Sequence, residues 1–195
     1  MNSSALSLPT PLILDLALTD DQFFQLCQTH QDLKFERSAS GELVIMAPTG
    51  GNTGKRNVKL TTQLDIWNTQ TQMGEVFDSS TGFILPSGAN RSPDASWVRR
   101  DRWDALTPEQ QERFVPLCPD FVVELLSPSD SLERTRAKMV EYIDNGAQLG
   151  WLINRQQRQV EIYRPEQVPE VLDSPTVLSG ETVLPGFTLD LVPIW

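Results

Sequence analysis

Hydrophobic and polar residues follow different periods in different parts of the chain, and each period predicts one kind of secondary structure. Two alternating segments joined by Ser-Ala-Ser-Gly predict a β-hairpin over 33–46. Further along, Leu60, Leu64 and Trp67 recur at helical spacing and predict a helix over about 55–71. We therefore expect both helices and strands within one α/β unit.

Shorter signals predict the other elements of the N-terminal part. Thr19 and two aspartates cap a short helix, in which Phe23, Phe24 and Cys27 are expected to be partly buried. We also expect a loop at 48–54, two short strands around a turn at 74–88, a strand at about 94–98, and a loop with one short helix at 99–119.

The clearest long-range signal is a strand–helix–strand unit at 121–153. The apolar run FVVELL is followed by N-cap residues, by the helix LERTRAKMVEYID, which Gly146 ends, and by a second strand, QLGWLIN. A strand in RQVEIYR and a last extended segment in ETVLPGFTLDLVPIW follow. This order predicts a mixed central β-sheet flanked by helices. The buried face of the helix is expected to contain Leu132, Met139, Val140 and Ile143.

Length and charge limit the function classes. A chain of 195 residues fits a single domain, in which the Ser/Pro-rich residues 1–11 form a loose tail. Sixteen Lys and Arg residues against 26 Asp and Glu residues give a net charge of −10, so no general basic coat for nucleic acid exists, although a local patch is compatible with it. No apolar run approaches the ~20 residues that span a bilayer, and no secretory signal pattern is present. We expect a cytoplasmic protein without membrane contact.

Two cysteines and a single histidine, His30, restrict the chemistry further. A structural zinc site needs about four Cys or His ligands, which this chain does not supply. A Ser-His-Asp triad would have to use His30, and no nucleophile motif lies near it. Any metal site must therefore be built from oxygen ligands, which favours Mg²⁺ or Mn²⁺.

Two acidic residues stand out. Glu124 lies inside an apolar strand, where a carboxylate is costly unless it is paired or coordinated. The ordinary alternatives are an edge-strand glutamate that faces water and a glutamate paired with arginine. Asp94 follows Pro93 at the start of a strand, although Pro-Asp by itself is typical of a turn. If the two strands are neighbours, the acids converge at one end of the sheet, and a divalent cation would relieve their repulsion.

One lysine is a candidate partner for these acids. Lys138 borders the buried face of the helix that follows Glu124, and from there it would lean over the end of the sheet. Tyr142 lies one turn further along and would support it. The ordinary alternative is a lysine whose stem is buried and whose charge is solvated.

Together these segments resemble a known family. RSPDASWV and PDFVVELLSPSDSLERTRAKMVEYIDNGAQLGWLINRQQRQVEIYRP are similar to the bacterial "putative restriction endonuclease" family of the PD-(D/E)xK nuclease superfamily, as are GEVFDSSTGFILPSG and ETVLPGF. The resemblance extends from about Asp20 to the C-terminus. It implies a restriction-endonuclease-like α/β fold and Mg²⁺-dependent hydrolysis of phosphodiester bonds in DNA, with Mn²⁺ as an alternative metal.

The resemblance also implies site residues. Asp94 matches the aspartate of PD and Glu124 the acid of (D/E)xK, so both would bind the metal together with the backbone carbonyl of Leu125. Leu126 stands where the superfamily has its lysine, which makes Lys138 the candidate for that role. The superfamily's early-helix acid has no clear match, and we leave it unassigned among Asn57, Gln63 and Asp65.

Two basic clusters are candidate substrate contacts. Lys55 and Arg56 follow the glycine-rich loop, and Arg99 and Arg100 follow the strand of Asp94. The ordinary alternative for each is a solvated charged face. A homodimer is compatible with cleavage of two DNA strands.

Two other functions stay open at this stage. The net charge and Leu126 are also compatible with a catalytically inactive binding or regulatory module of the same fold. A hydrolase acting on RNA or on a small phosphoester is a further alternative, which no feature of the sequence separates from DNA cleavage.

Overall fold

The computed structural model describes residues 11–128 and 130–195. Apart from Pro11, the tail predicted at 1–11 lies outside the described residues. The helices are α1 (Asp20–Thr29), α2 (Gly51–Thr71), α3 (Arg100–Asp104), α4 (Pro108–Glu112) and α5 (Leu132–Asp144). The strands are β1 (Leu12–Asp15), β2 (Lys34–Arg37), β3 (Glu42–Met46), β4 (Gly74–Asp78), β5 (Phe83–Ile84), β6 (Asn90–Arg91), β7 (Ala95–Arg99), β8 (Phe121–Leu126), β9 (Leu149–Asn154), β10 (Gln159–Tyr163), β11 (Glu170–Asp173), β12 (Val177–Ser179) and β13 (Thr188–Asp190).

A six-stranded sheet forms the centre of the molecule, with the strand order β11-β10-β9-β8-β7-β4. Strands β8 and β9 run parallel and are joined through α5, whereas the other neighbours run antiparallel. The predicted mixed sheet and its strand–helix–strand unit are therefore confirmed. Because β7 lies beside β8, with Ala95 opposite Val123, the start of β7 meets the end of β8.

Helices α2 and α5 cover opposite faces of this sheet, because successive strand residues point to opposite sides. On one face, Leu60 and Leu64 of α2 are buried in one core with Val123. On the other face, Met139 of α5 is buried in a second core with Val122. The helix predicted from Leu60, Leu64 and Trp67 and the flanking of the sheet by helices are confirmed.

The buried face predicted for α5 is partly wrong. Val140 is 48% exposed, and Tyr142 takes a fully buried position instead. Met139 and Tyr142 form the centre of the buried face, since both are fully buried in the second core. Arg136 of the same helix donates to Glu161 of β10 with an Nη2–Oε1 distance of 2.6 Å. Leu132 and Ile143 pack partly buried against the same core, as predicted.

The predicted hairpin forms, but it belongs to a second sheet of order β1-β3-β2-β6-β5. The chain leaves this sheet at β6 and enters the central sheet at β7, through Ser92, Pro93 and Asp94. A small third sheet pairs β12 with β13, near the extended segment predicted for the C-terminal part. Strands β11 and β12 were not among the predicted elements.

Two loops differ from the prediction. Helix α2 begins at Gly51, so the loop predicted at 48–54 ends earlier; Thr53 is buried there and donates its N–H to Gly50 O at 3.0 Å. Residues 99–119 hold two short helices instead of one. Helix α4 begins at the predicted place, behind a capping box on Thr107, whereas α3 has no side-chain cap at its N-terminus that the sequence would reveal. Within the described ranges, no helix is long and apolar enough to cross a bilayer.

Candidate active site

Asp94 is fixed at the point where β7 begins. Continuing the register by two residues places Pro93 opposite Leu125, and proline has no N–H to donate across the ladder. At this position the Asp94 side chain replaces a main-chain acceptor, since its Oδ2 accepts the Leu125 N–H at 2.8 Å. Its Oδ1 accepts from Asn57 Nδ2 of α2 at 3.0 Å. The Pro-Asp pair thus turns a carboxylate toward the end of β8.

Glu124 lies on β8 beside this carboxylate, and its side chain faces α5. Its Oε1 accepts two hydrogen bonds from α5, from Lys138 Nζ at 2.8 Å and from Tyr142 Oη at 3.0 Å. Burial raises the pKa of Glu124 to about 7, and Asp94 adds to the shift while the ammonium of Lys138 opposes it. The structure therefore brings together four residues that the sequence singled out: Asp94, Glu124, Lys138 and Tyr142.

A fifth residue, Glu36 of β2, was not predicted. Its Oε1 accepts from Lys138 Nζ at 2.7 Å and from the Ser92 N–H at 3.1 Å. Its Oε2 lies 3.3 Å from Arg91 Nη1. Burial alone would raise the pKa of Glu36, but the neighbouring cations outweigh it and hold that pKa at about 2. In the alternating pattern of a hairpin, Glu36 occupies an ordinary polar position, so no local signal distinguishes it.

The network of charged residues also contacts α5 and the segment between β6 and β7. Arg91 donates from Nε to Glu141 Oε2 of α5 at 2.5 Å, and Lys34 Nζ donates to Ser92 O at 3.0 Å. Burial disfavours the charged form of Lys138, but Glu124 and Glu36 raise its pKa above the usual range. Lys138 is therefore a buried ammonium shared by two carboxylates from different sheets.

The oxygen atoms around Asp94 are suitable ligands for a hard cation. Asn57 Oδ1 is buried and has no hydrogen-bond partner, while the amide nitrogen of the same side chain bonds Asp94. Since the N–H and C=O of a strand residue point to the same side, the Leu125 carbonyl faces the same way as its N–H, toward Asp94. Carboxylate, amide and carbonyl oxygens are the ligands that Mg²⁺ prefers. Among the described residues, no three His, Cys, Asp or Glu side chains are already grouped closely enough to hold a metal by themselves.

The four predicted substrate contacts do not touch these acids. Arg99 lies five residues beyond Asp94, about 16 Å along the strand, and pairs with Asp101 at 2.5 Å. Arg100 pairs with Glu75. The other two, Lys55 and Arg56, lie on α2, the first exposed and the second donating to Ile194 O at 2.7 Å.

The structure also places Asn57, Gln63 and Asp65 of α2, the residues left unassigned above, in three different surroundings. Asn57 reaches Asp94, as described above. Gln63 instead bonds the backbone of Asp190 in β13, with distances of 2.8 and 3.1 Å. Asp65 lines a surface hollow of about 370 Å³ between α2 and β4. Only the first of these three belongs to the acidic site.

The fold of a central mixed sheet flanked by helices is shared with a solved structure. A crystal structure of a putative nuclease belonging to DUF820 from Anabaena variabilis superposes with a TM-score of 0.75 at 21% sequence identity, covering 91% of this chain and 97% of that one. Residues 20–192 match the model of the Uma2 family, described as "Putative restriction endonuclease", and the chain belongs to that family. No curated protein matches the chain.

Proposed function

We propose that this protein is a Mg²⁺-dependent endonuclease that hydrolyses phosphodiester bonds in DNA. The observation that carries the proposal is the convergence of Asp94, Glu124 and Lys138 from β7, β8 and α5 at one end of the central sheet. Lys138 Nζ lies 2.8 Å from Glu124 Oε1, and the Asp94 carboxylate bonds the next residue of the same strand. Family membership supports a nuclease as the class of protein.

The metal would be held by Asp94, Glu124 and the Leu125 carbonyl, with the unpartnered Oδ1 of Asn57 as a further oxygen. When bound, Mg²⁺ supplies a water of lowered pKa and offsets the negative charge that builds on the phosphate. Asp94 suits this role because both of its hydrogen bonds come from neutral donors, Asn57 and the Leu125 N–H. Within the described residues it forms no ion pair.

The chain's own cation would act on the phosphate. Lys138 is held charged by two carboxylates, so an ammonium stands beside the acids before any substrate arrives. Such a preorganised charge would orient the attacking water or stabilise the developing negative charge, and its loss commonly costs about 10²–10³-fold in rate. Tyr142 fixes the Glu124 carboxylate, and Glu36 keeps Lys138 in place once Glu124 binds the metal.

A cleavage panel tests the proposal. Supercoiled plasmid, duplex oligonucleotide, single-stranded DNA and RNA are incubated with the protein in Mg²⁺, Mn²⁺ or EDTA, beside the Asp94→Ala and Glu124→Ala variants. We expect nicking and linearisation of the plasmid in Mg²⁺, with none in EDTA or by either variant. Cleavage by a correctly folded Asp94→Ala or Glu124→Ala protein at the wild-type rate would refute the assignment.

One observation favours the alternative of a catalytically inactive module. The described residues hold no ready group of three metal-ligating side chains, and Lys138 already neutralises Glu124. In that case no metal would support cleavage of any substrate in the panel. Calorimetric titration with Mg²⁺ and Mn²⁺ separates the two functions further, because only the nuclease requires metal binding that Asp94→Ala abolishes.

A further inference from the structure

Most arginines of this acidic protein are neutralised by neighbours. Eight of its twelve arginines form an ion pair with a carboxylate. In the part of the chain that the structure describes, four form none: Arg56, Arg134, Arg155 and Arg158. An unpaired arginine is therefore the exception here, and two unpaired arginines at the same end of one sheet need a physical reason.

Arg56 and Arg155 lie at the same end of the sheet as the acids. Arg56 precedes Asn57, whose amide bonds Asp94. Arg155 directly follows Asn154 at the end of β9, and Asn154 is in register with Leu126 of β8, two residues beyond Glu124. Two strand residues span about 7 Å and neighbouring strands lie about 5 Å apart. The two arginines therefore lie beyond the acidic site by roughly the distance between neighbouring phosphates of a DNA strand.

Backbone contacts fix the guanidinium of Arg56. Its Nε donates to Ile194 O at 2.7 Å and its Nη1 to Asn52 O at 2.8 Å. No carboxylate lies within ion-pair distance of it among the described residues. The remaining donor group of Arg56, Nη2, has no recorded acceptor within residues 11–128 and 130–195.

Arg155 has a hydrogen-bond donor that lacks an acceptor among the described residues. Its Nε is buried and makes no hydrogen bond within the described residues. Burial and the positive charge of Arg56 both lower the pKa of Arg155. A buried donor without an acceptor and two like charges without a counter-charge are each unfavourable. One anion bound between them would relieve both.

We propose that Arg56 and Arg155 form a phosphate subsite, which binds a backbone phosphate of the DNA next to the one at the acids. Guanidinium groups recognise phosphate through paired N–H donors. A DNA strand with one phosphate at Asp94 and Glu124 would extend over the end of the β-sheet toward β9. The proposal rests on the proposed function for the identity of the substrate.

Binding measured without cleavage tests this subsite. The affinity of a fluorescently labelled DNA duplex for the full chain is measured by anisotropy in EDTA, at increasing NaCl concentrations, for wild type, Arg56→Gln and Arg155→Gln. We expect each variant to bind about tenfold more weakly. We also expect the slope of log K against log [NaCl] to fall by about one, as for the loss of one phosphate contact. With Mg²⁺, the KM for DNA should rise while kcat changes little.

Arg113→Gln is the matched control, because it removes the same charge at an exposed arginine that pairs with Asp21 of α1 and should bind like wild type. Thermal unfolding verifies that Arg56→Gln and Arg155→Gln are folded. Wild-type affinity and salt slope in both variants would overturn the subsite, even if the protein cleaves DNA; so would the absence of salt-dependent DNA binding by wild type. If the variants lose affinity as expected but wild type cleaves nothing in any metal, the subsite stands and the nuclease proposal fails.

Discussion

Lys138 Nζ lies 2.8 Å from Glu124 Oε1 and 2.7 Å from Glu36 Oε1, so one ammonium joins α5 to strands of two different sheets. The first contact follows from the β8–α5 connection, which returns the helix over its own strand. The second contact arises only because the two sheets meet at the segment between β6 and β7. The candidate site is thus located at the junction of the sheets, and its lysine belongs to a buried charge network.

Replacing Lys138 with methionine should affect both stability and cleavage. The substitution leaves Glu124 and Glu36 buried without their shared cation, which is expected to cost about 3–5 kcal/mol of unfolding free energy. Cleavage should fall by about 10²–10³-fold because the ammonium beside the phosphate is lost. Denaturant unfolding and single-turnover cleavage measure the two effects.

A double variant separates these effects. Adding Glu124→Gln to Lys138→Met removes one of the uncompensated charges, so part of the stability should return while cleavage does not recover. Arg113→Met, which replaces an exposed arginine that pairs with Asp21 at the surface, is the control; it should change stability little and leave cleavage unchanged. A Lys138→Met protein as stable as wild type would mean that the ammonium does not hold these carboxylates.

Replacing Glu36 with glutamine should lower kcat about tenfold and leave the KM for DNA unchanged, because Glu36 acts through Lys138 and touches no substrate. The glutamine keeps an oxygen for the Ser92 N–H but loses the charge that holds Lys138. Steady-state kinetics over a range of DNA concentrations measures the two constants.

Glu141→Gln is the matched control for Glu36. It removes the other carboxylate that binds Arg91 without contacting Lys138. If Glu36 is a positioning residue for Lys138, only Glu36→Gln lowers kcat. Equal losses in both variants would indicate that Glu36 merely holds Arg91 in place.

Local signals were sufficient for the centre of the fold. The apolar run of β8 and the N-cap on Ser131 predicted the β8–α5–β9 unit, because each of them acts over only a few residues. The exposed Val140 was mispredicted, since Met139 and Tyr142 of α5 take the fully buried positions in the core that α5 shares with the sheet. Helical periodicity gives the width of a buried face, and tertiary contacts decide its centre.

The site was accessible to sequence reasoning only in part. Asp94, Glu124 and Lys138 carry signals of their own, as charges in or beside apolar segments. Glu36 carries none, because its burial depends on a second sheet that packs over the end of the first. Arg155 carries no signal either, since its interaction with Arg56 joins two segments that lie about 100 residues apart in the sequence.

Replacing Asp94 with asparagine should abolish metal-dependent cleavage while preserving the fold. The asparagine can still accept the Leu125 N–H, so the start of β7 is expected to stay in place, whereas the charge that would bind the metal is lost. We expect a loss of at least about 10²-fold in rate. Plasmid nicking and thermal unfolding are measured beside Asp101→Asn, an exposed aspartate near the other end of β7, which should nick plasmid as fast as wild type.

The pH dependence of stability provides a test of Glu124 that needs no substrate. Its pKa is about 7 in the folded protein against about 4.5 in the unfolded chain, so between these values the folded state binds more protons and stability falls as the pH rises. From pH 5 to pH 8, metal-free wild type should lose about 2–3 kcal/mol relative to Glu124→Gln, which has no proton to release. Mg²⁺ should reduce this loss, since it binds the ionised carboxylate. The free energy of unfolding of both proteins is measured in denaturant at pH 5 and at pH 8. If it changes by the same amount in wild type and in Glu124→Gln, Glu124 is already ionised at pH 5.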